Sequence, residues 1–286
     1  MSIRIATISV TVGLILGATI FGASHSEAES VFSLSQQSDQ AHPDLNLVQQ
    51  QLKLDTGSLT ELVAKTGAGK LTVVGVEGLK EVEVHADIYT PSLDQDDIEI
   101  KLSLTRKGDK AYLLSEIHSD QFFGESPFID LLVKVPSTLA LNIKDGSGSI
   151  QIEDVSADIE LIDGSGSIVI NNIGNLVLTD GSGSVVLNNT GKLSLVDGSG
   201  SINITDVNGG IILQDGSGSI GINNVVGDVS IDDGSGSIKV EQVSGLVKIN
   251  DSSGGIDVAN TKGLTIVNSG SGSVDYQNID GPLSLD

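Results

Sequence analysis

The 286-residue chain has no cysteine, no tryptophan and a single methionine. Without cysteine there can be no disulfide, no thiolate metal site, no cysteine nucleophile and no lipid anchor on an N-terminal cysteine. Aromatic residues are only 3% of the chain. Basic residues are also few, 15 against 38 acidic ones, for a formal charge of −23. A nucleic-acid partner needs a basic face for its phosphates, so none is expected. An anionic membrane surface would repel the chain as well. The four histidines are His25, His42, His85 and His118, and none lies after residue 118.

Glycine, by contrast, is plentiful, with 35 residues, and hydrophobic residues make up 38% of the chain. A glycine-rich, aromatic-poor chain built on Leu, Ile and Val points to repeated β-structure.

The N-terminus reads as a signal peptide over 1–28. Arg4 is the charged start, an apolar run follows from Ile5 to about Ala23, and Ser26-Glu27-Ala28 is the expected cleavage site. Export follows, to the periplasm, the cell surface or the medium, with no transmembrane segment after cleavage. Residues 29–51 are rich in Ser and Gln and are expected to be a polar linker. Residues 52–144 alternate apolar and polar positions, as at Ile98, Ile100, Leu102 and Leu104, and are expected to be an irregular β region.

Residues 145–286 carry a repeat. Asp-Gly-Ser-Gly-Ser-Ile begins at Asp145, Asp163, Asp197, Asp215 and Asp233. A Val-ended copy begins at Asp180, and degenerate copies begin at Asp251 and Ser269. The steps are 18, 17, 17, 18, 18, 18 and 18 residues. Each copy runs into alternating apolar residues, such as Ile220 and Ile222. A polar corner follows: Asp154, Asn172, Asn189, Asp206, Asn224, Gln242, Asn260 or Asn278. A second alternating run then leads to the next Asp. One such unit cannot bury its own apolar face, but a stack of them can. The expected fold is all-β, a parallel β-solenoid of about eight regular coils of 17–18 residues, preceded by an irregular β region. A weaker unit, Gly67-Ala68-Gly69-Lys70-Leu71-Thr72-Val73, places the start of the solenoid near Leu62. The span 91–136 is then a β-insertion or a set of wider coils.

Two columns are candidate sites. Asp145, Asp163, Asp180, Asp197, Asp215, Asp233 and Asp251 should stack at one corner. Like charges about 5 Å apart repel by roughly 1 kcal/mol in water and about 3 kcal/mol at an effective dielectric of 20. Either Asx-type hydrogen bonds from nearby N–H groups or a row of weak Ca²⁺ sites would offset this. The motif differs from the calcium nonapeptide, because here Asp precedes Gly-x-Gly. No other cofactor is expected. The second column is Ser147, Ser165, Ser182, Ser199, Ser217 and Ser235, continued by Ser253 and Ser271. It is either a set of small corner residues or a ligand face for glycan hydroxyls. The Asn/Asp corner column should form a side-chain ladder.

Catalytic patterns are missing from the sequence. There is no Gly-x-Ser-x-Gly elbow. Gly67-Ala68-Gly69-Lys70 lacks the leading glycine of a phosphate loop, and Leu71 stands where Ser or Thr would hold Mg²⁺. A polysaccharide lyase would need an asymmetric acid and base cluster, whereas the basic residues here are scattered. Phe122, Phe123 and Phe128 form an aromatic cluster that either covers an open core end or presents a tip to a partner.

The Gly-Ala-Gly-Lys-Leu-Thr-Val segment, the Val133-Lys134-Val135-Pro136 strand and the repeated Gly-Ser-Gly-Ser-Ile resemble the bacterial putative-adhesin family, from about Leu52 onward. That resemblance implies a β-solenoid from a family of largely unknown function. With no catalytic pattern in the residues, the expected role is a structural or adhesive scaffold, not an enzyme, in the envelope or outside the cell, with a glycan or an envelope protein as candidate partners. A Ca²⁺- or glycan-binding module is the alternative reading.

Overall fold

The computed structural model describes residues 29–37, 45–91, 98–119 and 125–285. The expected signal peptide, Phe122 and Phe123 lie outside them. The described residues form strands and no helix, in two compact units divided after Gly148.

The first unit holds nine strands: β1 (Glu29–Gln37), β2 (Leu45–Asp55), β3 (Glu61–Lys65), β4 (Leu71–Val76), β5 (Glu81–Pro91), β6 (Ile98–Lys107), β7 (Lys110–Ser119), β8 (Phe128–Pro136) and β9 (Ala140–Lys144). One layer runs β1-β2-β5-β8-β4, with the β8–β4 pair parallel and the others antiparallel. The other runs β6-β7-β3-β9, with only the β6–β7 pair antiparallel. Alternate residues of both layers are buried, among them Val82, Val84, Val133 and Val73 in the first and Leu62, Ala64, Leu113 and Leu141 in the second.

Here the structure departs from the expected linker over 29–51. Residues 29–37 and 45–51 are strand and pair with each other. Most residues of this stretch are polar, yet Leu45 and Gln50 are buried in β2. The early glycine unit stacks as a coil, as expected. β3 lies between β7 and β9, and β4 pairs in parallel with β8. The span 91–136 supplies the β6–β7 hairpin, with Gly108 at φ +66° in its turn, and then β8.

The second unit is the solenoid. Each coil has a leading and a returning strand. Leading strands are β10 (Gly148–Glu153), β12 (Gly166–Asn171), β14 (Gly183–Thr190), β16 (Gly200–Val207) and β18 (Gly218–Val225). Returning strands are β11 (Ile159–Asp163), β13 (Leu176–Asp180), β15 (Leu193–Asp197), β17 (Ile211–Asp215) and β19 (Val229–Asp233). In β20 (Gly236–Asp251) and β21 (Gly254–Asn268) the two runs join, and β22 (Val274–Ile279) and β23 (Leu283–Leu285) end the stack. Pairing is parallel, like over like. Ile202 lies against Val185 and Ile220, and Leu195 against Leu178 and Leu213. The inner columns are Ile, Val and Leu, nearly all fully buried.

The corners explain the Asn-rich positions. Among the described residues, the non-glycine residues with positive φ are Asp154, Asn172, Asn189, Asp206, Asn224, Gln242, Asn260 and Asn278, at φ between 52° and 61°. Asn and Asp tolerate this left-handed region better than most L-residues. The expected ladder is also present. Asn172 donates to Asp154 Oδ1 at 2.5 Å, Asn189 to Asn172 at 2.9 Å, Asn224 to Asp206 at 2.5 Å and Asn278 to Asn260 at 2.9 Å. Asn224→Ala therefore loses a hydrogen bond and forces alanine into the left-handed region, at a cost of about 2 kcal/mol in chemical denaturation. Asn224→Gly keeps the backbone at ease and should cost about half as much.

Candidate functional site

The returning strands determine where the aspartates go. Ile159, Leu161 and Asp163 share one parity, and so do Leu213 and Asp215. With Ile and Leu inward, the aspartate is inward too. Asp163, Asp180, Asp197, Asp215, Asp233 and Asp251 are between 0 and 6% exposed. Register pairs each with the next, from Asp163 with Asp180 through to Asp233 with Asp251. Asp145, in the first unit, is buried as well and accepts a hydrogen bond from the Thr66 hydroxyl.

The expected Asx-type bonds are present at three of these aspartates, at one oxygen each. Ser217 N–H donates to Asp215 Oδ1 at 3.2 Å, Ser235 N–H to Asp233 Oδ1 at 3.1 Å and Ser253 N–H to Asp251 Oδ1 at 2.9 Å. The Oδ2 atoms of these three are buried without a hydrogen-bond partner, as are both carboxylate oxygens of Asp180 and Asp197. Burial, then the charge of the neighbouring aspartate, pushes the carboxyls of Asp180, Asp197 and Asp215 above the usual range. Asp233 is pushed up to about 6, chiefly by burial, with the Ser235 N–H opposing it. Among the described residues, no three His, Cys, Asp or Glu side chains come together as a metal centre.

The serines of the expected ligand face, Ser147, Ser165, Ser182, Ser199, Ser217 and Ser235, sit half-buried at the corner. Their main chain ties coil to coil: Gly183 N–H donates to Ser199 C=O at 3.0 Å and Gly200 N–H to Ser217 C=O at 2.9 Å. The serine two residues further on faces outward instead. Ser167, Ser184, Ser201, Ser219 and Ser237 lie in register on the outer side of the leading strands. Two residues along each strand stand Val169, Val186, Asn203, Gly221 and Lys239. Two further stand Asn171, Asn188, Thr205, Asn223 and Glu241. Asn188 donates to Asn171 at 3.0 Å. The first and third of these columns carry hydroxyl and amide groups, apart from Glu241, spaced about 4.8 Å along the stack and about 13 Å from each other along each strand, while the middle column is Val, Val, Asn, Gly and Lys. The two serines of each coil share one parity, and what sets them apart is that the strand begins between them, at Gly166 in β12 and at Gly200 in β16.

The outer side of the returning strands differs. Ile162, Val177, Val196 and Ile212 are 42 to 52% exposed there, on four successive coils. In the first unit, the outer side of β2, β5, β8 and β4 forms a groove of about 540 Å³, lined by Gln49, Gln51, His85, Asp87, Asp130 and Lys134 among others. Gln49 donates to Asp87 at 2.9 Å, and Lys70 N–H to Asp130 at 2.7 Å. Its residues come from four strands far apart in sequence, so no local pattern announces it. Phe128, from the expected aromatic cluster, stacks on Tyr89 with ring centroids 4.6 Å apart.

No protein-family model and no curated protein matches the chain. Solved structures similar to it include a putative lipid binding protein from Parabacteroides distasonis, 15% identical, covering 83% of this chain and 97% of that one, with a TM-score of 0.45. A putative adhesin from Parabacteroides merdae is 15% identical, covers 81% and 96% and has a TM-score of 0.45. A putative cell adhesion protein from Clostridium sporogenes is 14% identical, covers 83% and 99% and has a TM-score of 0.26. Among the described residues no helix is long and apolar enough to cross a membrane.

Proposed function

We propose that this protein is an exported adhesive scaffold, not an enzyme, which acts through many weak and equivalent contacts along the outer side of its leading strands. The supporting observation is the array: one serine hydroxyl per coil, in register over five coils from Ser167 to Ser237, with Asn171, Asn188, Thr205 and Asn223 in a second column further along the same strands. A repeating array of donors and acceptors suits a repeating polar polymer such as a glycan chain. Linked weak contacts can raise overall avidity by about 10²–10⁴ without any single strong one. Serine and aspartate recur on every coil, which provides no unique nucleophile. The aspartates that end the returning strands are buried.

The test is retention of protein-coated beads on immobilised polysaccharide, with beads carrying few or many copies. Single changes such as Ser201→Ala should weaken retention less than about twofold, while Ser→Ala at all five positions should abolish it. Loss of retention from Ser201→Ala alone would show a discrete site and overturn the multivalent reading. The export part is checked by the mass of the protein recovered from outside the cytoplasm, expected to begin at Glu29.

A further inference from the structure

We propose that the buried aspartate column of the solenoid stores protons, shared from coil to coil as a chain of hydrogen-bonded carboxyl groups, and so makes the solenoid firmest in mildly acidic surroundings. The inference is independent of what the outer array binds.

The geometry leads there in three steps. First, the parallel register stacks Asp180, Asp197, Asp215, Asp233 and Asp251 without a break, each nearly or fully buried. Second, nothing cationic faces them. The basic residues of this unit are Lys192, Lys239, Lys248 and Lys262, all exposed. The inward residues of the leading strands packed in the same interior are apolar, as with Ile202, Ile204, Ile220 and Ile222. The titratable groups facing each aspartate are the aspartates of the coils on either side. Third, the backbone N–H groups satisfy Oδ1 of Asp215, Asp233 and Asp251, and leave Oδ2 buried with no partner.

A buried acceptor without a donor is costly, and a buried like-charge pair more so. A proton removes both problems at once. Placed on one carboxyl, it cancels a charge and turns an orphan oxygen into an O–H donor toward the next coil. Calcium fits less well. It takes six to eight oxygen ligands. Each gap between coils offers two carboxylates, and N–H donors already occupy one oxygen of Asp215, Asp233 and Asp251. The directions of titration agree, with Asp180, Asp197 and Asp215 raised and Asp233 raised to about 6. A carboxyl raised by folding contributes stability that is fully present below its unfolded value, near 3.8, and is lost as pH rises through its folded value. The column should therefore lose stability between about pH 4 and about pH 6 and stay at its lower level above that.

The experiment is thermal unfolding of the purified chain at about pH 5 and about pH 8, with and without millimolar Ca²⁺, together with the infrared carbonyl band of protonated carboxyl groups. Wild type should melt roughly 5 °C or more higher at the acid end. Asp215→Asn with Asp233→Asn keeps an acceptor for each Ser N–H and adds a donor toward the next coil. It should raise the melting temperature at about pH 8 and flatten the pH dependence. Asp257→Asn with Asp275→Asn removes the same charge from exposed positions and should leave the slope intact. Ca²⁺ should do nothing that EDTA does not. Equal slopes in both double variants would overturn the proposal. So would the lack of a protonated-carboxyl band near pH 5. A Ca²⁺-induced rise that vanishes in Asp215→Asn with Asp233→Asn would assign the column to metal instead. If that variant does not fold, the infrared band of the wild-type protein still decides.

Discussion

Gly200→Ala should lower the melting temperature of the chain by roughly 10 °C, corresponding to about 4 kcal/mol. Gly200 has φ +143°, a region closed to L-side chains, and a Cβ there would lie 1.6 Å from the carbonyl oxygen of Gly183 on the preceding coil. That oxygen cannot retreat easily. Gly183 and Gly200 are each anchored by N–H donation to the following coil, at 3.0 and 2.9 Å. The clash recurs in four other coils: Gly183, Gly218, Gly236 and Gly254 have φ between 140° and 145° and Cβ positions 1.5–1.6 Å from a neighbouring glycine oxygen. Gly108→Ala is the control. Its φ is +66° and nothing lies within 4 Å, so only the backbone strain remains, about 1 kcal/mol. A melting series over the two variants separates close approach from strain. Equal shifts would mean that the coils are not packed at this spacing.

Ile204→Ala should cost about 3 kcal/mol in urea unfolding. Ile204 is 1% exposed and sits in register between Leu187 and Ile222, in the middle of an inner column. Its truncation leaves a cavity that cannot collapse without shifting both neighbouring coils, which their backbone hydrogen bonds resist. Val177→Ala is the matched control. Val177 is 52% exposed on the outer side of β13, and its loss should stay within about 0.5 kcal/mol. A midpoint for Ile204→Ala near that of the control would show that the two faces had been assigned the wrong way round.

Much of the solenoid was legible in the chain, for definite reasons. Ile202, Ile204, Ile220 and Ile222 alternate and recur at 18 residues, so their inward stacking follows from period alone. The corner residues Asp154 to Asn278 were legible because few L-residues other than Asn and Asp accept φ near 57° readily. The aspartates were harder. Beside glycine, Asp163 reads as a turn residue at an accessible corner. Its parity with Ile159 and Leu161 says otherwise, and the structure follows parity. The start of the strand separates Ser167, which lies on the outer side of β12, from Ser165, half-buried just before Gly166 opens it. In the first unit the polar run 29–51 was misjudged because average composition hides a two-faced strand.

The sequence by itself determined the repeat, its parallel in-register stacking and the residues of its core. An 18-residue period aligns like with like only when coils are parallel and unshifted, and any other register would break every apolar column at once. The tertiary structure alone decided three things. It set β3 between β7 and β9, a pairing of strands about 50 and 80 residues apart that leaves no local mark. It gathered Gln51, His85, Asp87, Asp130 and Lys134 into one groove from three separate strands. And it left carboxylate oxygens of Asp180, Asp197, Asp215 and Asp233 buried without a hydrogen-bond partner, where burial and like neighbours push these carboxyls up.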